Sequence, residues 1–367
     1  MAATPIDPRV ADVHHAAMMN FGGNAHSAQH SVGAAAQAAM DEGAASICQA
    51  LNIHADEFSF TPGASAALWL AVEDAIARAS NGPVRIAATT VEHPALLSAL
   101  QNAERSGRLE LSFVPVDTVA SPRLDEMEVV LARGVDLLCT MAANNEVGTL
   151  SDLHAISELA NRYGARHLID ASQAAGRLDP SSIPFADLLI VSGAKVYGPR
   201  RIGALIGRLC PHARQLGHDV FGSPDAPAAV AFAHAVSLRR DERQSDEARI
   251  MSMRDKLEAQ LVEMVPGLVV NGSQQRLSGC LHVSTPHIAG EAVVARLWGQ
   301  VAVSTGAACQ SGVPGPSHVL SAMGVADWVA DGAVRIGIGK FNTEEDIDHA
   351  ADLIGAALNA EPMRRSA

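Results

Sequence analysis

Two segments in the middle of the chain each close an apolar stretch with an ionisable side chain. In His167-Leu-Ile-Asp170-Ala-Ser-Gln173 that group is the carboxylate of Asp170. In Asp187-Leu-Leu-Ile-Val-Ser192-Gly-Ala-Lys195-Val-Tyr-Gly-Pro199 it is the amine of Lys195. Each segment reads as a buried strand running into a loop. An acid past one strand and a lysine past the next are what pyridoxal phosphate chemistry needs. The carboxylate keeps a pyridine nitrogen protonated so that the ring can take up electrons, and the lysine holds the aldehyde as a Schiff base. A lysine at such a strand end is expensive to bury unless its charge is shifted or consumed. Taken alone, Lys195 reads as a surface lysine; Asp170 at the end of the preceding strand is what tips the reading.

Other residues cluster at similar positions. Thr61-Pro-Gly-Ala-Ser65 stands between a strand and a helix, where the backbone N–H groups of Ala64 and Ser65 and the Ser65 hydroxyl suit a phosphate. A plain capped turn explains the same residues. His93 follows another strand and is suited to stack on a ring and move a proton, or to sit as an ordinary core histidine. Asn144-Asn145-Glu146-Val-Gly148 is a turn by composition, yet a dense group of amides and a carboxylate. Gln173 can hydrogen-bond a phenolic oxygen. Arg335 lies inside a strand-like run and needs a partner if buried, either a substrate carboxylate or an internal salt bridge. Cys309 sits in a Gly-, Ser- and Pro-rich stretch, 304–316, that reads as an exposed mobile loop, where a free thiol is a liability unless it is used. The other four cysteines read as buried fillers.

The elements that must carry these residues alternate. Strand patterns occur at Phe58–Phe60, Val84–Ala88, Leu109–Val114, Val135–Met141, Arg166–Ile169 and Leu188–Val191, with helical patterns at Gln29–Leu51, Ala66–Ala79 and Leu153–Tyr163. This order predicts an α/β fold, a mainly parallel sheet with helices on both faces, and ligands beyond the carboxyl ends of the strands. From Arg239 to Met264 the chain reads as a charged helix with a solvated face, marking the crossover to a smaller unit. There, short strands at 268–270, 280–283 and 334–338 precede a helix capped by Thr343, which reads as a smaller α+β C-terminal domain. The expected division is 11–244 for the large cofactor-binding domain, and 1–10 with 245–367 for the small one.

The 367 residues are 48% hydrophobic but only 4% aromatic, so aliphatic side chains must fill the core. A net charge of -13 argues against a nucleic-acid or anionic-membrane binder. Five scattered cysteines without a Cys-x-x-Cys pair offer no metal site or disulfide framework and favour a reducing, cytoplasmic setting. The first residues carry no signal-peptide pattern, and no apolar run reaches the length of a membrane span.

Together these residues resemble the cysteine desulfurases, within the class V aminotransferase group of fold type I pyridoxal phosphate enzymes. The resemblance runs from Ala3-Thr-Pro-Ile-Asp-Pro-Arg9 to Phe341-Asn-Thr-Glu-Glu-Asp346 and includes Gly23-Asn-Ala-His-Ser-Ala-Gln-His30, Phe60–Ser65, Glu92-His93, Asn144–Gly148, Asp170–Gln173 and Ser192–Pro199 in order. It implies pyridoxal 5'-phosphate as cofactor, with Lys195 as the Schiff-base lysine, Asp170 at the ring nitrogen, His93 on the ring and Gln173 at the phenolic oxygen. Ala64, Ser65, Ser192 and Ser223 would hold phosphate, Asn145 and Arg335 the substrate carboxylate, and Cys309 would take the sulfur of L-cysteine as a persulfide. A homodimer and a sulfur-acceptor protein, such as an iron–sulfur scaffold, are implied as partners. A selenocysteine lyase, another C–S lyase or an aminotransferase would use the same cofactor residues, and a catalytically weak scaffold relative is a further reading.

Three departures stand out. The family usually has a phosphate-contacting His before the lysine, where this chain has Ala194. Its Arg-Ser-Gly-Thr loop, which reaches across the dimer, is replaced by 215–227, with Val220 for the arginine and Ser223 for the threonine. The usual N-terminal strand is also missing. Each lost charge-assisted bond is worth roughly 1.5–3 kcal/mol.

Overall fold

Strands of a parallel sheet are covered on both faces, so they read as continuous apolar runs rather than alternating ones. The computed structural model of the protein describes residues 3–27, 29–54, 57–80, 82–306 and 317–360. It pairs such runs into one seven-stranded sheet of β1 (Phe58–Thr61), β2 (Val84–Thr89), β3 (Leu109–Val114), β4 (Leu137–Met141), β5 (Arg166–Asp170), β6 (Leu188–Ser192) and β7 (Gly203–Ile206). The spatial order is β1-β7-β6-β5-β4-β2-β3. Strands β2 to β6 are parallel, and β7 runs antiparallel to both of its neighbours. The expected mainly parallel sheet is therefore present. Strand β7, Gly203–Ile206, is not among the strands expected from the sequence; it opens on a glycine and has no alternating pattern.

Successive residues of each strand enter opposite cores. Leu168, Leu188, Ile190 and Leu205 pack with Leu68, Leu96 and Leu100 of the helices Ala64–Arg78 and Pro94–Arg105. Ile169, Leu189, Val191 and Ala204 face the other way, against Ile47 of the helix Ser31–Ala50 and Phe232 of the helix Ala226–Met264. Helices thus cover both faces, and the register Met141↔Asp170↔Ile190 ends β4 and β5 level while β6 continues to Ser192 on the same edge.

A second, antiparallel sheet contains β8 (Val269–Val270), β9 (Cys280–Ser284) and β10 (Ala333–Gly337) in the order β10-β9-β8. The 39-residue helix Ala226–Met264 serves both sheets. Ala228, Phe232 and Val236 lie in the large sheet's core, while Ile250, Met253, Leu257 and Leu261 lie in the small sheet's core with Ile347, Ile354 and Leu358 of the helix Glu344–Asn359. This change of partner along one helix supports a boundary near 244, and we propose the division 11–244 against 1–10 with 245–367 on that ground. Thr343 caps the last helix in a capping box with Asp346.

Two expectations need correction. Arg239, at the start of the charged run, is 1% exposed rather than solvated, because Asp246, Glu247 and the Gly176 carbonyl receive its guanidinium. Among the four other cysteines, Cys139 and Cys280 are buried, but Cys48 and Cys210 are only half-buried, and Cys210 accepts the Ala213 N–H at a helix start.

One close approach joins the sheet to the loop beyond β1. Thr61 pairs with Gly203, and a Cβ on Gly203 would stand 2.8 Å from the Val191 carbonyl oxygen and 3.0 Å from the Gly63 Cα. We expect Gly203→Ala to destabilise the fold by about 1–3 kcal/mol, the usual cost of overpacking. Thermal unfolding measures it, and a variant as stable as the parent would mean that the Gly63 turn is not seated against β7.

Candidate active site

A cavity of about 260 Å³ opens where β4, β5 and β6 end. Ala64, Ser65, His93, Asn145, Asp170, Gln173, Ser192 and Lys195, all singled out from the sequence, line it together. Ser172, Ala194 and Arg201 join them. Strand order explains the gathering: parallel neighbours deliver the residue after each strand to the same edge. Asp170 ends β5 and accepts the Ser172 N–H at 2.9 Å, which turns the chain sharply away from the sheet. Gln173 is held by the Arg177 guanidinium at 3.1 Å. At the opposite end, the helix Ala64–Arg78 starts after Gly63 without a side-chain cap, so its first amides face the cavity uncapped.

The Lys195 loop is braced by the far N-terminus. The Thr4 amide and hydroxyl both donate to the Ala194 carbonyl, at 3.0 and 3.1 Å, and the Thr4 hydroxyl accepts the Tyr197 N–H at 2.8 Å. The Asp7 N–H donates to the Tyr197 carbonyl, while the Asp7 carboxylate pairs with Arg9 and Lys340. The Arg9 guanidinium, helped by Lys340, holds that carboxyl well below the usual range. The Lys340 N–H in turn donates to the Tyr197 hydroxyl.

His93 accepts the Ala95 N–H on Nδ1 at 3.1 Å, which leaves the neutral ring its proton on Nε2. Burial lowers its pKa, Lys195 and His318 lower it further, and Asp170 opposes them. Behind it, Glu92 is fully buried. Its Oε1 accepts the Thr89 hydroxyl at 2.6 Å and the Met141 N–H at 2.9 Å, while Oε2 has no partner among the described residues. Burial pushes Glu92 up to about 8, and the charge of Asp170 adds to the rise.

Asn144 and Asn145 divide the two readings of their turn. Asn144 Oδ1 accepts the N–H groups of Glu146 and Val147 and is structural. Asn145 is buried, and both its Oδ1 and Nδ2 lack partners among the described residues, as does Ser172 Oγ. Orphaned buried polar atoms on a cavity wall signal a polar ligand. Arg335, on β10, stands behind this wall rather than on it. It donates to the Asn145 carbonyl at 2.9 Å and to Ser304 Oγ at 3.1 Å. No salt bridge to it is present among the described residues, so several of its five donors stay available. Burial raises Glu146 to about 7, against pulls from the Ser317 hydroxyl and Arg335.

The structure does not bring Ser223 to this cavity. Its hydroxyl donates to Asn24 Oδ1 at 2.6 Å, on the wall of a second cavity of about 510 Å³. Cys309 lies outside the described residues. Thr4, Ser172, Arg201 and Ser317 are not among the site residues expected from the sequence.

The class V aminotransferase family model matches residues 1–218 and 215–349. The chain is 33% identical over 371 residues to cysteine desulfurase IscS of Shewanella baltica, covering 98% of this chain and 91% of that protein. It is 30% identical over 363 residues to the cysteine desulfurase of Mus musculus, covering 96% and 78%. A solved structure described as a NifS-like protein superposes with a TM-score of 0.84 at 27% identity, over 97% of each chain.

Glu92 offers a pH test. Its folded pKa of about 8 exceeds the ordinary 4.5, so its contribution to stability is complete below about 4.5 and is lost as the pH rises toward 8. Glu92→Gln keeps an acceptor for Thr89 and Met141. We expect it to flatten the fall in thermal midpoint between roughly pH 5 and 8. An unchanged slope would show that Glu92 titrates normally.

Proposed function

The chain belongs to the class V aminotransferase family and, within it, to the cysteine desulfurases, and from this we propose that its cavity binds pyridoxal 5'-phosphate and L-cysteine. Its activity is the conversion of L-cysteine to L-alanine with transfer of the sulfur. The observation that carries the site assignment is the gathering of Asp170, Lys195, His93 and the orphaned Asn145 amide on one wall.

The residues fit the cofactor. Uncapped amides at 64–65 with the Ser65 and Ser192 hydroxyls suit its phosphate, Asp170 its ring nitrogen, Gln173 its phenolic oxygen and Lys195 its aldehyde. When bound, it supplies a sink for the electron pair left by Cα–H cleavage. Asn145 holds the substrate carboxylate with its free Nδ2, and Arg335 sets that amide's position through the Asn145 carbonyl while offering its remaining donors. Lys195, once its amine is displaced from the aldehyde, accepts the Cα proton. Neutral His93 lines the cavity, would stack on the ring when the cofactor is bound, and has a proton to give from Nε2. The Cys309 thiolate attacks the substrate sulfur; an S–S bond forms and the C–S bond breaks. Cβ takes up a proton in place of the sulfur, Lys195 returns its proton to Cα to give alanine, and a persulfide remains on Cys309.

Ser223 lies off its own chain's cavity, which supports a homodimer in which this residue serves the other copy. The persulfide passes to a sulfur-acceptor protein, for which an iron–sulfur scaffold is our reading. Among the described residues no helix is long and apolar enough to cross a membrane. The unpaired cysteines support a cytoplasmic setting.

Lys195→Ala is expected to abolish both alanine formation and the absorbance of a lysine-bound cofactor. Cys309→Ala should retain that absorbance but lose alanine and persulfide formation by at least about a hundredfold, the scale of a lost covalent catalyst. Alanine release by Cys309→Ala at the parent rate would exclude Cys309 as the sulfur acceptor and favour a lyase.

A further inference from the structure

We propose that Arg201 is the cation that binds the cofactor phosphate in this chain. The inference rests on the cofactor reading above and names a ligand for one end of it. Three observations carry it.

The first is position. The pairing of Thr61 with Gly203 and the contact of Gly203 with Gly63 seat the turn before β7 against the turn that starts the helix Ala64–Arg78. Arg201 lines the cofactor cavity there, beside Pro62, Gly63, Ala64 and Ser65, and it also lines the larger neighbouring cavity. It therefore stands on the wall that divides them. The second is charge. Among the described residues, Lys195 and Arg201 are the basic side chains on the cavity lining besides the neutral His93. Lys195 is consumed by the aldehyde. Ala194, beside it, presents a methyl group and no donor. Arg201 forms no ion pair or side-chain hydrogen bond among the described residues, so its planar fork is available to an anion. The third is strain. Arg201 has φ of 61°, in the left-handed region that L-residues other than glycine rarely adopt. Glycine would sit there without penalty. A strained non-glycine residue on a cavity wall points to a retained side-chain role. The orphaned Asn145 and Ser172 atoms show independently that the same cavity is built for a polar ligand.

The test is calorimetric titration of the full-length chain, freed of cofactor, with pyridoxal 5'-phosphate and with pyridoxal, which lacks the phosphate. Arg201→Gln should weaken pyridoxal 5'-phosphate by about tenfold to a hundredfold, the range for one charge-assisted bond. Pyridoxal binding should change by less than about twofold, because the variant removes only a phosphate contact. Arg201→Gly relieves the backbone, so it should keep or raise the thermal midpoint and still show the same selective loss. Arg200→Gln, an equal charge change off the cavity lining, should bind both ligands as the parent does. The proposal is overturned if Arg201→Gln and Arg201→Gly bind pyridoxal 5'-phosphate like the parent. It also falls if they lose pyridoxal in equal measure, or if Arg200→Gln matches them. A parent chain that binds neither ligand would overturn the cofactor reading and this inference with it, which separates the two failures.

Discussion

A shared strand edge is the constraint on which this site depends. Strands β4, β5 and β6 run parallel; Met141 and Asp170 pair at the ends of β4 and β5, and β6 continues past Ile190, the partner of Asp170, to Ser192. Whatever follows each strand must emerge on one edge, where backbone groups no longer have ladder partners. Asn145, Asp170 and Lys195 share a cavity for that reason. A shift of β5 by one residue would turn Asp170 into the opposite core and leave a polar group buried among aliphatic side chains.

The edge is then held from outside the sheet. Thr4 and Asp7 satisfy three backbone groups of the Lys195 loop, so the lysine is aimed by a segment that lies almost two hundred positions earlier in the chain. Arg335 holds the Asn145 carbonyl from the second sheet, and Ser317 holds Glu146. The small sheet thus touches the site through the backbone and flank of the 144–148 turn. Small movements of β10 would be felt at the Asn145 amide. Burial also sets the charges here: His93 is neutral and Glu92 keeps its proton at neutral pH, so Glu92 adds no buried negative charge behind the site.

Much of this was legible beforehand. The apolar runs of β2 to β6 are long enough to declare themselves, and eight of the residues chosen from sequence do line one cavity. The reading faltered where local pattern carries no information. Strand β7 is four residues long, and its importance lies in the glycine that lets it approach Gly63. Arg239 looked solvated because its neighbours are charged, yet two of the nearby carboxylates fold back to bury it. Arg335 reads from sequence as a residue in need of a partner, and local pattern does not reveal that its guanidinium bonds the Asn145 carbonyl and Ser304 Oγ.

By itself the sequence determined the alternating layers, the strand-end acid and lysine, and the family. These follow from periodicity and from short motifs, which are local properties of the chain. Only the tertiary structure decided that Thr4 would brace the Lys195 loop, that Arg335 would bond the Asn145 carbonyl, and that Arg201 would stand beside the Ser65 turn. Those contacts join residues more than a hundred positions apart, and they depend on strand order and close packing, which no stretch of sequence encodes alone.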